Sequence, residues 1–433
     1  MLIAVENTIQ AIQAVVQSIG VGTNLALLQL MWSMMQGTML GSRGAIFPAL
    51  IASGFRLETV RRSWAAMRYG SWQIDELIGN WSRYVGQQEK WQEHKHEGYR
   101  AVAVDLTAFW RPKLRSKWLG KHFHTIAGRA LPAVVFGVVV WVGQIGKQRV
   151  PLLKAIVRAK QDEKRELELT TKLLQQVGRE LQADEIAILD AGFKMSAIQQ
   201  AQIKQAVVRL ASNSVAQRNY AKAYKGRGRR PIYGDTVRPL ARSYKGQSIP
   251  ATAADDSDEF EYEGRIIKVK IWYDLILSGL LPAPDNDNFH IYLFEDPLYH
   301  DPLLLAATLR LQPRSSFSLY QDRWPVEQVP LGAKQMIGLH RHFVFAFESC
   351  QRLPELALLV ATMLSYLAAT LPPVPTGFWD TQPKATPGRL RRLLARADFP
   401  NDYPFLPQLR KKCSVTDHLP KGVAAHRRSK AVA

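Results

Sequence analysis

The stretch Glu185-Ile186-Ala187-Ile188-Leu189-Asp190 is a short apolar run that ends in an acid, and Tyr99-Arg100-Ala101-Val102-Ala103-Val104-Asp105-Leu106 has the same shape. Runs of this length, rich in Ile and Val and bounded by polar residues, predict buried strands. Outward from them, residues 122–142 predict two more strands, split near Ala130-Leu131-Pro132. Residues 152–181 predict a long amphipathic helix with abundant Lys, Glu and Gln, residues 196–203 a short helix, and residues 205–211 another strand. An acid at the end of a buried strand is costly unless its charge is used. Either aspartate taken alone also fits as a cap or a turn former.

Strand, strand pair, helix, strand, helix, strand is the order of a ribonuclease-H-like α/β core. The reading places that core at residues 96–211 and 316–372. Residues 212–315 form a β-rich insertion, with strands at 265–271 and 290–294. Within it, residues 222–245 hold eight Lys or Arg against one acid, and residues 251–264 form an acidic linker. Residues 1–95 read as a helical N-terminal DNA-binding domain. Residues 47–69 give a helix, a turn at Gly54 and a second helix, with Arg61 and Arg62 facing outward. This pattern fits a helix-turn-helix reader that places its second helix in a major groove, and fits an ordinary helical hairpin as well. The tail, 373–433, is basic.

Charge narrows the partners. The 433 residues carry a net charge of +20 and 47% hydrophobic residues, so a core of good size coexists with a surface suited to a polyanion. DNA, RNA or an anionic membrane surface all satisfy that balance, with salt-dependent phosphate binding as the first expectation. A membrane span is not expected: residues 131–143 are too short, and residues 356–371 read as a buried helix. Residues 1–18 lack the basic start of a secretory signal. Two cysteines, Cys350 and Cys413, exclude a disulfide framework and a four-cysteine zinc site. A reducing, cytoplasmic and nucleoid-associated setting follows as the expectation.

Strand-end acids on neighbouring strands can converge and hold a divalent metal through oxygen ligands. Two such ions clamp the attacking and leaving oxygens of a phosphodiester. A third acid is found in Tyr320-Gln-Asp-Arg323-Trp-Pro-Val-Glu327-Gln-Val-Pro-Leu-Gly-Ala-Lys334, a Tyr, Arg, Glu, Lys pattern at fixed spacing. Arg323 offers a planar fork to a phosphate and Lys334 a point charge. Pro330 is expected to break or kink the helix between Glu327 and Lys334. Trp324 reads first as a core side chain and second as a base-stacking one. His340 and His342 read as surface or DNA-facing residues rather than metal ligands, and Glu295 and Asp296 are the reserve candidates for a third carboxylate. Arg227, Arg229 and Arg230 lie in a loop that suits phosphates, or is simply solvated.

On these residues the chain resembles the DDE transposases of bacterial insertion sequences, in the group marked by the Y-R-E-K signature (insertion sequence family four and its relatives). The resemblance covers residues 99–345. Asp105-Leu-Thr is similar to the family's first acid motif and Asp190-Ala-Gly-Phe to its second. Val207-Val-Arg-Leu-Ala-Ser-Asn and Pro302-Leu-Leu-Leu-Ala-Ala-Thr resemble the strands after the second acid and before the signature. The resemblance implies that Asp105, Asp190 and Glu327 are the catalytic, metal-binding triad, and that Tyr320, Arg323 and Lys334 grip DNA near the cleaved end. It further implies two Mg²⁺ ions, replaceable by Mn²⁺, and cut-and-paste transposition of double-stranded DNA, with a dimer in the DNA complex. Two other classes stay open: a ribonuclease-H-like nuclease or resolvase without strand transfer, and a catalytically inactive DNA-binding protein derived from a transposase.

Overall fold

The computed structural model describes residues 2–111, 113–114, 119–124, 126–160, 166–221, 223–224, 226–227 and 231–411. Its N-terminal part is helical: α1 (Leu2–Val16), α2 (Thr23–Gln36), α3 (Thr38–Gly41), α4 (Ile46–Ala52), α5 (Leu57–Tyr69) and α6 (Ile74–Gln88). A mixed region follows with β1 (Gln92–Glu93), β2 (Lys95–His96), β3 (Tyr99–Trp110), β4 (Gly120–His124), β5 (Arg129–Ile145), β6 (Gln148–Arg158), α7 (Glu166–Glu180), β7 (Glu185–Leu189), α8 (Met195–Gln200) and β8 (Ala206–Arg209). Then come β9 (Ala216–Arg218), β10 (Thr236–Val237), β11 (Arg242–Tyr244), β12 (Gln247–Ile249), β13 (Asp256–Tyr262), β14 (Arg265–Leu277), β15 (Phe289–Glu295) and β16 (Leu303–Ala307). The chain returns to helices with α9 (Pro313–Gln321), α10 (Trp324–Leu331), α11 (Phe347–Thr370) and α12 (Pro387–Leu394).

Fourteen of the described strands join one mixed sheet, in the order β1-β5-β3-β7-β8-β16-β15-β14-β9-β10, with β4 and β6 also on β5, β2 on β3 and β13 on β14. Strands β3, β5 and β6 are antiparallel neighbours, whereas β7 runs parallel to both β3 and β8. Both faces of β3 and β7 are buried, which is why these strands are almost continuously apolar instead of alternating. On one face Val102, Val104, Ala187 and Leu189 meet Leu169, Leu173 and Val177 of α7 and Ile198 of α8. Gly137 of β5 lies beneath Leu173, where an added Cβ would come within 2.7 Å of that side chain. On the other face Ala101, Ala103, Ile186 and Ile188 share a core with α1, α2, α5, α6 and α11.

Several sequence expectations need correcting. The break between β4 and β5 falls at residues 126–128, earlier than expected, because Gly128 supplies the positive φ of the turn. Pro132 is accommodated inside β5, where its carbonyl accepts from Arg111 N–H at 2.7 Å. Residues 152–158 belong to strand β6, not to a helix: Val150, Leu152, Leu153 and Ile156 are buried in its pairing with β5. The acidic linker contains strand β13, in which Glu259 pairs directly with Lys268 of β14. Beyond β8 the same sheet continues, with β16 pairing antiparallel with β8. The N-terminal helices likewise share one core with the sheet and α11. Helix α11 is, among the described residues, the one helix long and apolar enough to cross a membrane, and 83% of its most apolar window is buried inside the protein. The long apolar segment is therefore the central core helix, in line with its reading from sequence.

Candidate active site

Two neighbouring strands set the site. In the parallel pairing of β3 with β7, Ala103 stands beside Ile188. Two residues further along each strand, on the same side of the sheet, come Asp105 and Asp190. This is the side covered by α10, which carries Glu327, and by α11. Asp105 lies within β3 rather than at its end, opposite Val138 of β5, because β3 outruns β7. Its Oδ1 accepts from Leu106 N–H at 2.8 Å. Asp190 follows β7 directly, and its Oδ1 accepts from Gly192 N–H across a tight turn. A Cβ at Gly192 would stand 3.1 Å from that same oxygen, so glycine lets the backbone close on the carboxylate.

The third acid arrives from α10. Arg323 donates to Glu327 Oε1 at 2.5 Å and stacks over the Tyr320 ring, with its Cζ 5.6 Å from the ring centroid. Beyond Pro330 the helix changes pitch into a π-helical turn, Gly332–Met336, so the expected break is realised as a widening that carries Lys334. Lys334 Nζ donates to Thr107 Oγ1 at 2.9 Å and lies 5.2 Å from the centre of the Phe109 ring. Asp105, Thr107 and Phe109 occupy alternate positions of β3, hence one face, and Lys334 sits over that row.

Charge ties the group together. Burial pushes the Asp105 carboxyl up to about 6, the negative charges of Asp190 and Glu327 add to that rise, and Leu106 N–H and Arg323 oppose it. Burial pushes the Lys334 ammonium down to about 8, against the pull of Asp105. The three carboxylates are thus electrostatic neighbours. Their oxygens are not gathered into one cluster within 4.8 Å; among the described residues only His94, His96 and Asp322 reach that spacing. Glu327 is bonded to Arg323 rather than to either aspartate.

Other candidates separate clearly. Trp324 is 60% exposed beside Arg323, contrary to its reading as a core residue: as the first residue of α10 it precedes the buried Pro325 and Val326. His340 is exposed, but His342 is buried against Phe109, and burial pushes its imidazole down to about 3; it is not a surface residue. Asp296 is buried in a pair with Arg265, and Glu295 is bonded to Lys270, so both acids are already engaged. Arg61 is exposed on α5, whereas Arg62 is paired with Glu58 one turn earlier. Arg227 is exposed; Arg229 and Arg230 lie outside the described residues.

Sequence reasoning missed Thr107 and Phe109, the perch for Lys334, although both follow Asp105 with the period of a strand. It also missed Asp322, which lies inside the quoted signature stretch. Asp322 has a fully buried side chain and stands against His94, His96 and Arg149. Compared with known proteins, the sequence matches no family model and no curated protein.

Proposed function

We propose that this protein is a DDE-type DNA transposase built on a ribonuclease-H-like core. The observation that carries the reading is the meeting of Asp105 and Asp190, side by side on parallel strands, with Glu327, Arg323 and Lys334 from the helical segment packed over them. The strand order β6-β5-β3-β7-β8 supports it, with the first three antiparallel, the last pair added in parallel, and helices on the α7/α8 side. The net charge of +20 supports a nucleic-acid partner.

The donor set fits hard divalent cations. Burial raises the Asp105 carboxyl and the charge of Asp190 adds to that rise, so a cation held between the two carboxylates would favour their ionised forms. Asp105, Asp190 and Glu327 would hold Mg²⁺ or Mn²⁺, which when bound supplies Lewis-acid stabilisation to the attacking and leaving oxygens of a phosphodiester. The protein's own groups do the rest. Arg323 presents its guanidinium to a phosphate when Glu327 turns toward the two aspartates. Lys334, held above Thr107, places a cation beside Asp105 where a phosphate would enter. Trp324 offers an exposed ring on the same turn for an unpaired base. The cytoplasmic, nucleoid-associated setting and the dimer on DNA belong to this same proposal.

The test is direct. The full chain is incubated with DNA from the borders of its coding region and Mg²⁺ or Mn²⁺. Nicking followed by joining of the freed 3′ end to target DNA is the expected outcome. Nicking without joining assigns the nuclease reading instead, and tight DNA binding with no cleavage in either metal overturns the enzyme reading.

A further inference from the structure

The strongest cluster outside the carboxylate site lies where the short β1–β2 segment meets the turn between α9 and α10. Asp322 has a side chain of 0% exposure, yet its two oxygens face three nitrogen groups. His94 Nδ1 is 2.6 Å and His96 Nε2 2.8 Å from the same oxygen, Oδ2, while Arg149 Nε is 2.9 Å from Oδ1. The two imidazole rings lie with centroids 4.6 Å apart and planes 65° apart. One arginine already balances the charge of a buried aspartate, so neither histidine is needed for that purpose. The His94 contact lacks hydrogen-bond alignment and leaves Nδ1 without a partner in the interior. His96 Nε2 hydrogen-bonds Oδ2, and with the unpartnered His94 Nδ1 beside the same oxygen the three ligand atoms lie within 4.8 Å of one another, the spacing of a metal-ligand set.

We propose that His94, His96 and Asp322 form a site for one transition-metal ion of the Zn²⁺ class. Two imidazoles and one carboxylate oxygen suit Zn²⁺ or Co²⁺ and are unsuited to Mg²⁺, which takes oxygen ligands. Arg149 Nε stands 2.9 Å from Oδ1 as a charge partner, which leaves Oδ2 to face the two imidazoles. Bonds of about 2.0–2.1 Å in tetrahedral geometry place ligand atoms roughly 3.3 Å apart, so the set opens by about half an ångström to admit the ion. His94, whose side chain is 25% exposed, leaves a fourth position open to water. Asp322 directly precedes Arg323, so the ion would fasten the β1–β2 segment to the turn from which Glu327 projects. The site binds its ion whether or not the carboxylates cut DNA.

Untagged full-length protein is equilibrated with Zn²⁺, dialysed against metal-free buffer and assayed for metal by atomic emission. Retention of about one Zn²⁺ per chain is expected, with loss of that ion in the His94→Gln, His96→Gln double variant. Substitution with Co²⁺ in the wild type should give visible absorption bands of a tetrahedral or five-coordinate centre, a readout independent of how well the variant folds. Wild-type protein that retains no Zn²⁺ and gives only the Co²⁺ spectrum of the aquo ion overturns the proposal and leaves a purely ionic latch. Equal zinc retention by wild type and a folded double variant overturns it too.

Discussion

Replacing Asp105 by Asn is expected to abolish cleavage and, in the absence of divalent metal, to make the protein more stable. A carboxyl that titrates at about 6 in the fold and near 3.8 in the unfolded chain is held in its neutral form by burial and by its neighbours. The sign follows from that direction: the stability tied to this group is fully present below about pH 4 and is lost as pH rises through 6. The ionised form then costs about 3 kcal/mol, a ceiling because partial solvent access screens it. The amide keeps the shape and the acceptor oxygen for Leu106 N–H without that cost. Spread over 433 residues at about 2 cal/mol/K each, a gain of 3 kcal/mol raises Tm by about 3 °C. Thermal melts of both proteins in chelator should show this gap at pH 7.5 and none at pH 4. Millimolar Mg²⁺ should then narrow or reverse the order, because only the wild type gains a ligand. An Asn variant that melts at or below the wild type in chelator at pH 7.5 would refute the claim that burial, with its acidic neighbours adding to it, makes the Asp105 charge costly.

The remaining predictions concern DNA. Asp190→Asn should stop nicking while leaving affinity for border DNA within about twofold, since binding rests on the cationic surface; normal nicking by this variant removes Asp190 from the chemistry. Lys334→Ala and Arg323→Ala should each flatten the salt dependence of binding by about one in slope, measured by titration across salt concentrations, and unchanged slopes return both residues to a structural role. Because burial sets the Lys334 ammonium at about 8, its positive charge is lost as pH rises through that value, so wild-type affinity for border DNA should fall between pH 8 and 10 while Lys334→Arg holds. In the full chain, Arg61→Ala with Arg62→Ala should reduce preference for border DNA over scrambled DNA in competition binding; an unchanged preference shifts base reading to the basic loop at 222–245.

What was legible in the sequence followed its periodicity and its turn residues. Strand β7 is the clearest case: Glu185–Leu189 is buried at every position, and a short, wholly apolar run between polar residues has few other fates. Helix α5 and the Gly54 turn were equally plain, because Gly54 takes a positive φ between two apolar stripes. Strand β6 was not legible. Its Leu, Lys, Ala, Ile and Val residues run straight into the helical pattern of α7, and only the long-range pairing with β5 makes them a strand. Strand β13 was hidden for the converse reason, since its acids read as solvated linker until its pairing with β14, where Glu259 meets Lys268, is in place.

For the candidate site, the difference between what was read and what was missed is one of distance along the chain. The signature residues Tyr320, Arg323, Glu327 and Lys334 lie close together along the chain, from the end of α9 through α10 to the π-helical turn, so spacing alone groups them. Asp105 and Asp190 needed one further inference, that their strands are neighbours, and the parallel pairing of β3 with β7 came only with the structure. Asp322 lies in the middle of the same signature, yet nothing near it in sequence marks it as buried: its partners are His94 and His96, more than two hundred residues earlier, and Arg149. The side chain between Gln321 and Arg323 looks like one more surface acid until the fold folds the β1–β2 segment over it. A buried carboxylate at that position has a mechanical consequence. Removing its charge while keeping its shape, as Asp322→Asn would, leaves Arg149 without a counter-charge and puts an amide N–H₂ among nitrogen groups, and the cost falls on the turn that leads into Arg323.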